Sequence, residues 1–232
     1  MNIAIIPARG GSQRIPHKNI KHFHGKPIIA YSIQAALKSG LFDDVIVSTD
    51  DGNIAKIAKQ YGANVPWMRP SELSDHFTST LPVIQHSLSK YNKDKDKDKD
   101  IEFVCCLYAT APFVTAGLLK KAFKKICNTN VSYCVPVCEF DYPIQRALSL
   151  NDKHQISMDQ SKHMLTRSQD LKPMYHDVGQ FYFGTRDAWE RGDAILGDNS
   201  VGLIIPRIQA LDIDNPEDWT LAESIYSQVN HD

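Results

Sequence analysis

The sequence predicts an α/β protein built on a mainly parallel twisted sheet. Short apolar runs alternate with longer amphipathic segments along the chain. Most short runs are continuously apolar, as strands buried on both faces require. Glycines close the first two long segments, and Asn215-Pro216 opens the last. Such alternation builds a parallel sheet through right-handed crossovers.

The strands are predicted at residues 3–6, 45–48, 103–107, 132–137, 179–184 and 203–206. Pro27 at a first-turn position, followed by Ile28, Ile29, Ile33, Ala36 and Leu37, predicts a helix stopped by Gly40. Ile54, Ile57 and Ala58 predict a second over 51–61, closed by Gly62. Further helices are expected over 81–91, 115–127 and 215–229. In the last, Asn215 is the N-cap, Pro216 occupies N1, and Glu217 and Asp218 favour the positive helix end. Residues 93–100 alternate Lys and Asp without an apolar anchor and predict a solvated surface loop. The stretch 138–177 is less regular and reads as an excursion from the sheet within a single domain spanning 1–232.

Composition narrows the function classes. The 232 residues carry 26 Lys+Arg against 27 Asp+Glu, a formal net charge of −1. That balance gives no overall field to attract nucleic acid or an anionic membrane. No apolar run approaches the roughly 20 residues of a membrane span, and the first is too short for a secretory signal core. A chain of this length buries roughly 70–75% of its unfolded surface without help from disulfides. Its five cysteines form no C-x-x-C pair, and Cys105 and Cys106 should point to opposite faces of one strand. A cytoplasmic protein with reduced core thiols is expected. The nine histidines show no zinc spacing, and no G-x-S-x-G elbow occurs.

The first strand runs into Pro7-Ala8-Arg9-Gly10-Gly11-Ser12-Gln13-Arg14-Ile15-Pro16-His17-Lys18-Asn19. Ligands of open parallel sheets bind beyond the carboxyl ends of the strands. Gly10 and Gly11 are expected to allow positive φ and close backbone approach, turning amides toward one anion. Arg9, Arg14 and Lys18 place three cations beside them, and Pro16 stiffens the loop. A triphosphate suits this assembly. Neither the Walker A string nor the dinucleotide G-x-G-x-x-G is present.

A second constellation is Leu211-Asp212-Ile213-Asp214-Asn215-Pro216. In extended chain Asp212 and Asp214 share a face while Ile213 turns to the core. Two such carboxylates suit Mg²⁺, which completes its shell with phosphate and water. The competing account is a helix N-cap cluster, since a helix starts at once.

These residues reach a resemblance. Arg9-Gly10-Gly11-Ser12 with Arg14, Pro16, Lys18 and Asn19, followed by Gly25-Lys26-Pro27, resembles the signature of the sugar-activating cytidylyltransferases. Ser48-Thr49-Asp50, Arg69-Pro70 with Leu73, and Asp212-Ile213-Asp214 match in order. The resemblance spans almost the whole chain and points to the CMP-nonulosonate (sialic and pseudaminic acid) cytidylyltransferase family. Ile15-Pro16 and the stretches 108–113, 166–171, 175–177 and 179–182 are most similar to its pseudaminic acid members. Two departures separate the chain from the sialate enzymes. Gln13 stands where they often carry Lys, and Val178-Gly179-Gln180 stands where they carry Asn-Gly-Ala.

The resemblance implies a Rossmann-like, nucleotide-diphospho-sugar transferase-like fold with helices on both faces, and a homodimer that uses the excursion. It implies that Arg9, Gly10, Gly11, Ser12 and Lys18 hold the triphosphate, Arg14 adding charge. Asn19 and Arg69 would read cytosine, with Thr80 or its neighbours near base and ribose. Asp212 and Asp214 would hold Mg²⁺ or Mn²⁺, and Tyr108, Arg167, Gln169, Gln180 and Tyr182 would line a sugar pocket. By residue type alone, Arg167 equally suits an exposed salt bridge, and Tyr182 core packing. The implied reaction is attack of the anomeric hydroxyl of an acidic nine-carbon sugar on the α-phosphorus of CTP, with release of pyrophosphate. Arg9, Lys18, Asp212 and Asp214 would carry the catalysis by positioned charge. The general base stays open between Asp212, Asp214 and a hydroxide. A nucleotide-sugar glycosyltransferase and a non-catalytic nucleotide-binding module are the rival classes, and sialic acid, then Kdo, the rival substrates.

Overall fold

A computed structural model of the chain describes residues 1–94 and 100–228, so most of the Lys/Asp tract and Val229, the last residue of the helix expected over 215–229, lie outside it. β1 (Asn2–Pro7) leads through the glycine loop to a short hairpin, β2 (His22–Phe23) with β3 (Lys26–Pro27), and then to α1 (Ile29–Ser39). β4 (Asp44–Ser48), α2 (Gly52–Gln60), α3 (Thr80–Asp94), β5 (Phe103–Leu107), α4 (Ala116–Cys127) and β6 (Tyr133–Glu139) follow. The excursion carries the pair β7 (Leu148–Leu150) and β8 (Ile156–Met158). β9 (Tyr175–Asp177), β10 (Phe181–Thr185), α5 (Arg186–Arg191), β11 (Ser200–Ile204) and α6 (Pro216–Tyr226) complete the order.

The central sheet runs β11-β6-β10-β5-β1-β4, with β9 beside β6. β4, β1 and β5 are mutually parallel, as are β11 and β6. β10 is antiparallel to both β5 and β6, so two parallel blocks meet at a reversed strand that hydrophobic pattern alone does not reveal. Gly184 makes this junction possible. A β-carbon there would lie 2.5 Å from the Trp189 indole nitrogen and 2.6 Å from the Tyr133 ring.

Side chains alternate across the sheet. Ala4, Ile6, Cys105, Leu107, Phe181 and Phe183 pack with residues of α1, α2 and α4. Ile3, Ile5, Val104, Cys106 and Tyr182 pack on the other face with residues of α3 and α5. Cys105 and Cys106 thus take opposite faces, and Cys127 departs from the expectation of core thiols by being exposed. A third cluster matters most for function. Ile15, Phe23, Ile28, Tyr31, Phe113, Ile213, Trp219 and Ala222 fasten α6 and the segment before it against the glycine loop. Phe23 meets Tyr31, Trp219 and Tyr226 edge-on at 5.1–5.7 Å.

Asn215 caps the last helix as expected, forming a capping box with Asp218, while Asp51 accepts from the amides of Asn53 and Ile54 and Thr115 from that of Leu118. Gly40 and Gly62 take positive φ. Pro27 lies in β3 rather than in a helix, and α1 begins two residues later. The last strand sits earlier than expected, where Ser200 to Ile204 pair with Tyr133 to Val137 and Pro206 has no amide to extend the ladder. The six-residue α5 buries only Ala188 and Trp189, too short a pattern to announce a helix. Among the described residues no helix is long and apolar enough to cross a membrane.

Candidate active site

The glycine loop leaves β1 beside the ends of its neighbours. The Ala8 amide donates to the Ser48 carbonyl at 2.9 Å, and the Gly10 amide to Asp50 Oδ1 at 2.9 Å. A β-carbon on Gly10 would lie 2.9 Å from Asp51 Oδ2, so close approach is its requirement. The expected positive φ at Gly10 and Gly11 is not found. The left-handed residue is His17, φ 52°, immediately before the 3₁₀ turn Lys18–Ile20 that aims Lys18. The Gly10 amide, expected to face an anion, is taken by Asp50.

Around this loop lies a cavity of about 470 Å³. Arg9, Ser12, Arg14, Lys18 and Asn19 of the loop line it, together with Arg69, Thr80, Tyr108 and Asp214. Arg14 Nη2 stands 2.9 Å and Lys18 Nζ 3.4 Å from the same oxygen of Asp214, and Lys18 also donates to the Ile213 carbonyl at 2.8 Å. Arg9 Nη1 donates to the Asp75 carbonyl at 2.6 Å, tying the loop to a segment whose His76, Thr78 and Ser79 also line the cavity. Asn19 is buried and donates from its side chain to the Arg9 carbonyl at 2.9 Å.

Arg69 is 6% exposed, held by its amide on the Thr49 carbonyl at 2.7 Å. Its Nη2 lies 3.8 Å from Asp50, an ion pair too long for a hydrogen bond, and Nε and Nη2 have no hydrogen-bond partner. Burial pulls its pKa down, against the pull of Asp50. A buried guanidinium with idle donors at a cavity wall is built to meet an acceptor on a ligand.

Ile213 is fully buried, as the alternation requires, with Asp212 and Asp214 on either side of it. Burial, then the Asp214 charge, pushes the Asp212 carboxyl up to about 6, with Lys18 opposing. Among the described residues the Asp212 carboxylate takes no hydrogen bond or ion pair. It lies against Gly179, φ +60°, where a β-carbon would approach its Oδ2 to 3.0 Å. No group of three or more His, Cys, Asp or Glu gathers there among the described residues. Two carboxylates, one with no protein donor, fit a divalent ion that draws the rest of its shell from phosphate and water.

A second cavity, about 320 Å³, shares Ser79, Thr80 and Tyr108 with the first and adds Leu81, Tyr182, Ile195 and Leu196. The Tyr108 and Thr80 hydroxyls are 2.6 Å apart, and Tyr108 meets Tyr182 edge-on at 5.8 Å. The other expected sugar residues line neither cavity. Gln180 is buried, its side-chain amide donating to the Gln209 carbonyl and its backbone carbonyl accepting from the Tyr108 amide at 2.9 Å. Arg167 and Gln169 sit on an exposed turn of the excursion, where Arg167 pairs with Asp170 at 2.8 Å. The sequence places Asp50, Asp177 and Gly179 inside matched motifs without giving them a role, and no motif marks the 75–79 segment.

A family model described as cytidylyltransferase matches residues 3–201. Pseudaminic acid cytidylyltransferase of Campylobacter jejuni serotype O:2 is 45% identical over 231 residues, covering 100% of this chain and 98% of that protein. N-acylneuraminate cytidylyltransferase of Escherichia coli O18:K1:H7 is 33% identical, over 98% of this chain and 52% of its own. In structure, a CMP:2-keto-3-deoxy-manno-octonic acid synthetase complexed with CTP superposes with a TM-score of 0.69 at 16% identity, over 98% of both chains, which shows the shared fold.

Proposed function

The chain belongs to the cytidylyltransferase family, and from that premise we propose that it transfers CMP from CTP to the anomeric hydroxyl of pseudaminic acid, releasing pyrophosphate. The observation that carries the site is the meeting of Arg14 and Lys18 with Asp214 at one cavity. The choice of sugar is supported by full-length similarity of 45% to a pseudaminic acid enzyme against 33% to an N-acylneuraminate enzyme.

In this reading Arg9, Ser12 and Lys18 grip the triphosphate, Arg14 adds charge at the leaving pyrophosphate, and Asn19 and Arg69 meet the cytosine. Asp212 and Asp214 would hold Mg²⁺ or Mn²⁺, which when bound neutralises charge on the transferring phosphoryl group. The remaining task is orientation: a sugar seated by Tyr108 and Tyr182 presents its anomeric oxygen in line with the α-phosphorus. No covalent intermediate on the chain is needed.

The protein acts as a homodimer joined by the excursion. Leu148, Leu150, Ile156 and Leu165 are 51–94% exposed there. Residues 140–175 carry five Lys/Arg and four Asp, so two copies of this surface meet without net repulsion.

The test is pyrophosphate release from CTP and Mg²⁺ with a panel of pseudaminic, sialic and Kdo sugars. Pseudaminic acid is expected to react fastest. Equal rates with sialic acid would overturn the narrower substrate, and absence of release with every sugar would overturn the function.

A further inference from the structure

Asp177 joins two parts of the site that the cavities alone leave separate. It ends β9, paired with Val137 of β6, so its backbone is fixed by the sheet. Its Oδ1 accepts the Gly179 amide at 3.1 Å, bracing the positive-φ turn that lies against Asp212. Its Oδ2 accepts the hydroxyl proton of Tyr182, which is 8% exposed and lines the second cavity.

We propose that Asp177 is a positioning residue for the acceptor sugar, committing the Tyr182 proton so that Tyr182 offers the second cavity only hydrogen-bond acceptance. This inference rests on the function proposed above. A carboxylate only accepts, so the Tyr182 hydroxyl must donate to it, and lone pairs are all that the phenolic oxygen has left. Burial, then the bond to Asp177, raises the Tyr182 pKa far above neutrality, so the hydroxyl keeps its proton at working pH. The edge-on contact with Tyr108, itself tied to Thr80, fixes the ring at the boundary between the cavities. The orientation of the sugar follows. Its hydroxyl and acylamino N–H donors face Tyr182, while its carboxylate, repelled by Asp177 behind the ring, turns toward the Arg and Lys side.

Steady-state kinetics with CTP and pseudaminic acid test this. Asp177→Ala is expected to raise the sugar KM about tenfold, the scale of one charge-assisted hydrogen bond, with the CTP KM within about twofold of wild type. Asp177→Asn keeps one acceptor oxygen for two donors, Tyr182 and the Gly179 amide, and is expected to recover only part of that loss. Tyr182→Phe should lose a similar factor, and the Asp177→Ala/Tyr182→Phe double variant no more than the worse single one. Equal shifts in both KM values, or additive losses in the double variant, would show a merely structural Asp177 and overturn the proposal. A wild-type enzyme that turns over no nonulosonic acid would overturn the function and the proposal together.

Discussion

Arg14 and Asp214 touch at 2.9 Å although one lies in the first loop and the other just before the last helix. The same Asp214 oxygen also faces Lys18, so a single carboxylate holds two of the cations assigned to the triphosphate. Asp214 therefore has two claims on it. On the proposed reading a bound divalent ion would compete for Asp214 and so free Arg14 and Lys18 for phosphate. Asp214→Ala is expected to cut kcat by about 100-fold or more, the scale seen when a transition-state charge partner is lost. Its metal-free affinity for CTP should rise, since the cations no longer face a carboxylate. Calorimetry with and without Mg²⁺ measures the second effect, and a wild-type turnover rate after the substitution would end the assignment.

Arg69 presents the opposite balance of stability and function. Its guanidinium is buried with two nitrogens that make no hydrogen bond, a cost that the Asp50 ion pair offsets in part and a ligand acceptor would offset further. Arg69→Met keeps the volume and removes the charge. Denaturant unfolding is expected to show stability within about 1 kcal/mol of wild type, because relief of the buried nitrogens without hydrogen bonds offsets loss of the pair with Asp50, whose side chain is 29% exposed. The KM for CTP should nevertheless rise about tenfold. If Arg69→Met unfolded more easily and bound CTP normally, Arg69 would be a structural residue.

The legible and illegible parts of the molecule divide along physical lines. β1, β5 and the capped helices are readable because burial and capping act within a few residues of sequence. Asp212 and Asp214 are readable because Ile213 must turn inward between them, and its place in the Phe23–Trp219 cluster bears that out. The reversed β10 is not, since Phe181 to Thr185 is buried whichever way the strand runs. Gln180 has the character of a pocket residue and is instead spent on the Gln209 carbonyl, a partner 29 positions away that no local pattern specifies. Asp177 lies in the matched 175–177 stretch without a role attached to it, because its importance comes from Tyr182 and Gly179, contacts visible only once the turn is folded.

In the proposed dimer the excursion is the contact surface. Leu165 is 94% exposed and Leu150 64%, apolar surface that a second copy would cover. The double substitution Leu150→Glu/Leu165→Glu places charge on that surface without touching the central sheet. Light scattering coupled to size exclusion is expected to give a dimer for wild type and a monomer for the double mutant, with circular dichroism unchanged. A monomeric wild-type protein at micromolar concentration would remove the dimer.

Asp212 makes the metal-free protein sensitive to pH in a direction opposite to an ordinary paired carboxylate. Its pKa is about 6 in the folded chain against an ordinary value of 3.8, raised first by burial and then by Asp214. Between those values the folded state binds more protons than the unfolded one, so stability falls as pH rises through the window and stays lower above it. About two pKa units set an upper limit near 3 kcal/mol, and screening at a partly open carboxyl brings the expected size to about 1 kcal/mol. Asp212→Asn removes the titration. In EDTA the mutant is expected to unfold about 2–4 °C above wild type at pH 7 and at the same temperature near pH 4. Saturating Mg²⁺ with CTP should then stabilise wild type far more than Asp212→Asn, because a ligand that binds the folded state adds stability in proportion to the logarithm of its affinity. If the two proteins melted together at both pH values, the Asp212 carboxylate would be relaxed by solvent, and burial could not be what prepares it for a cation.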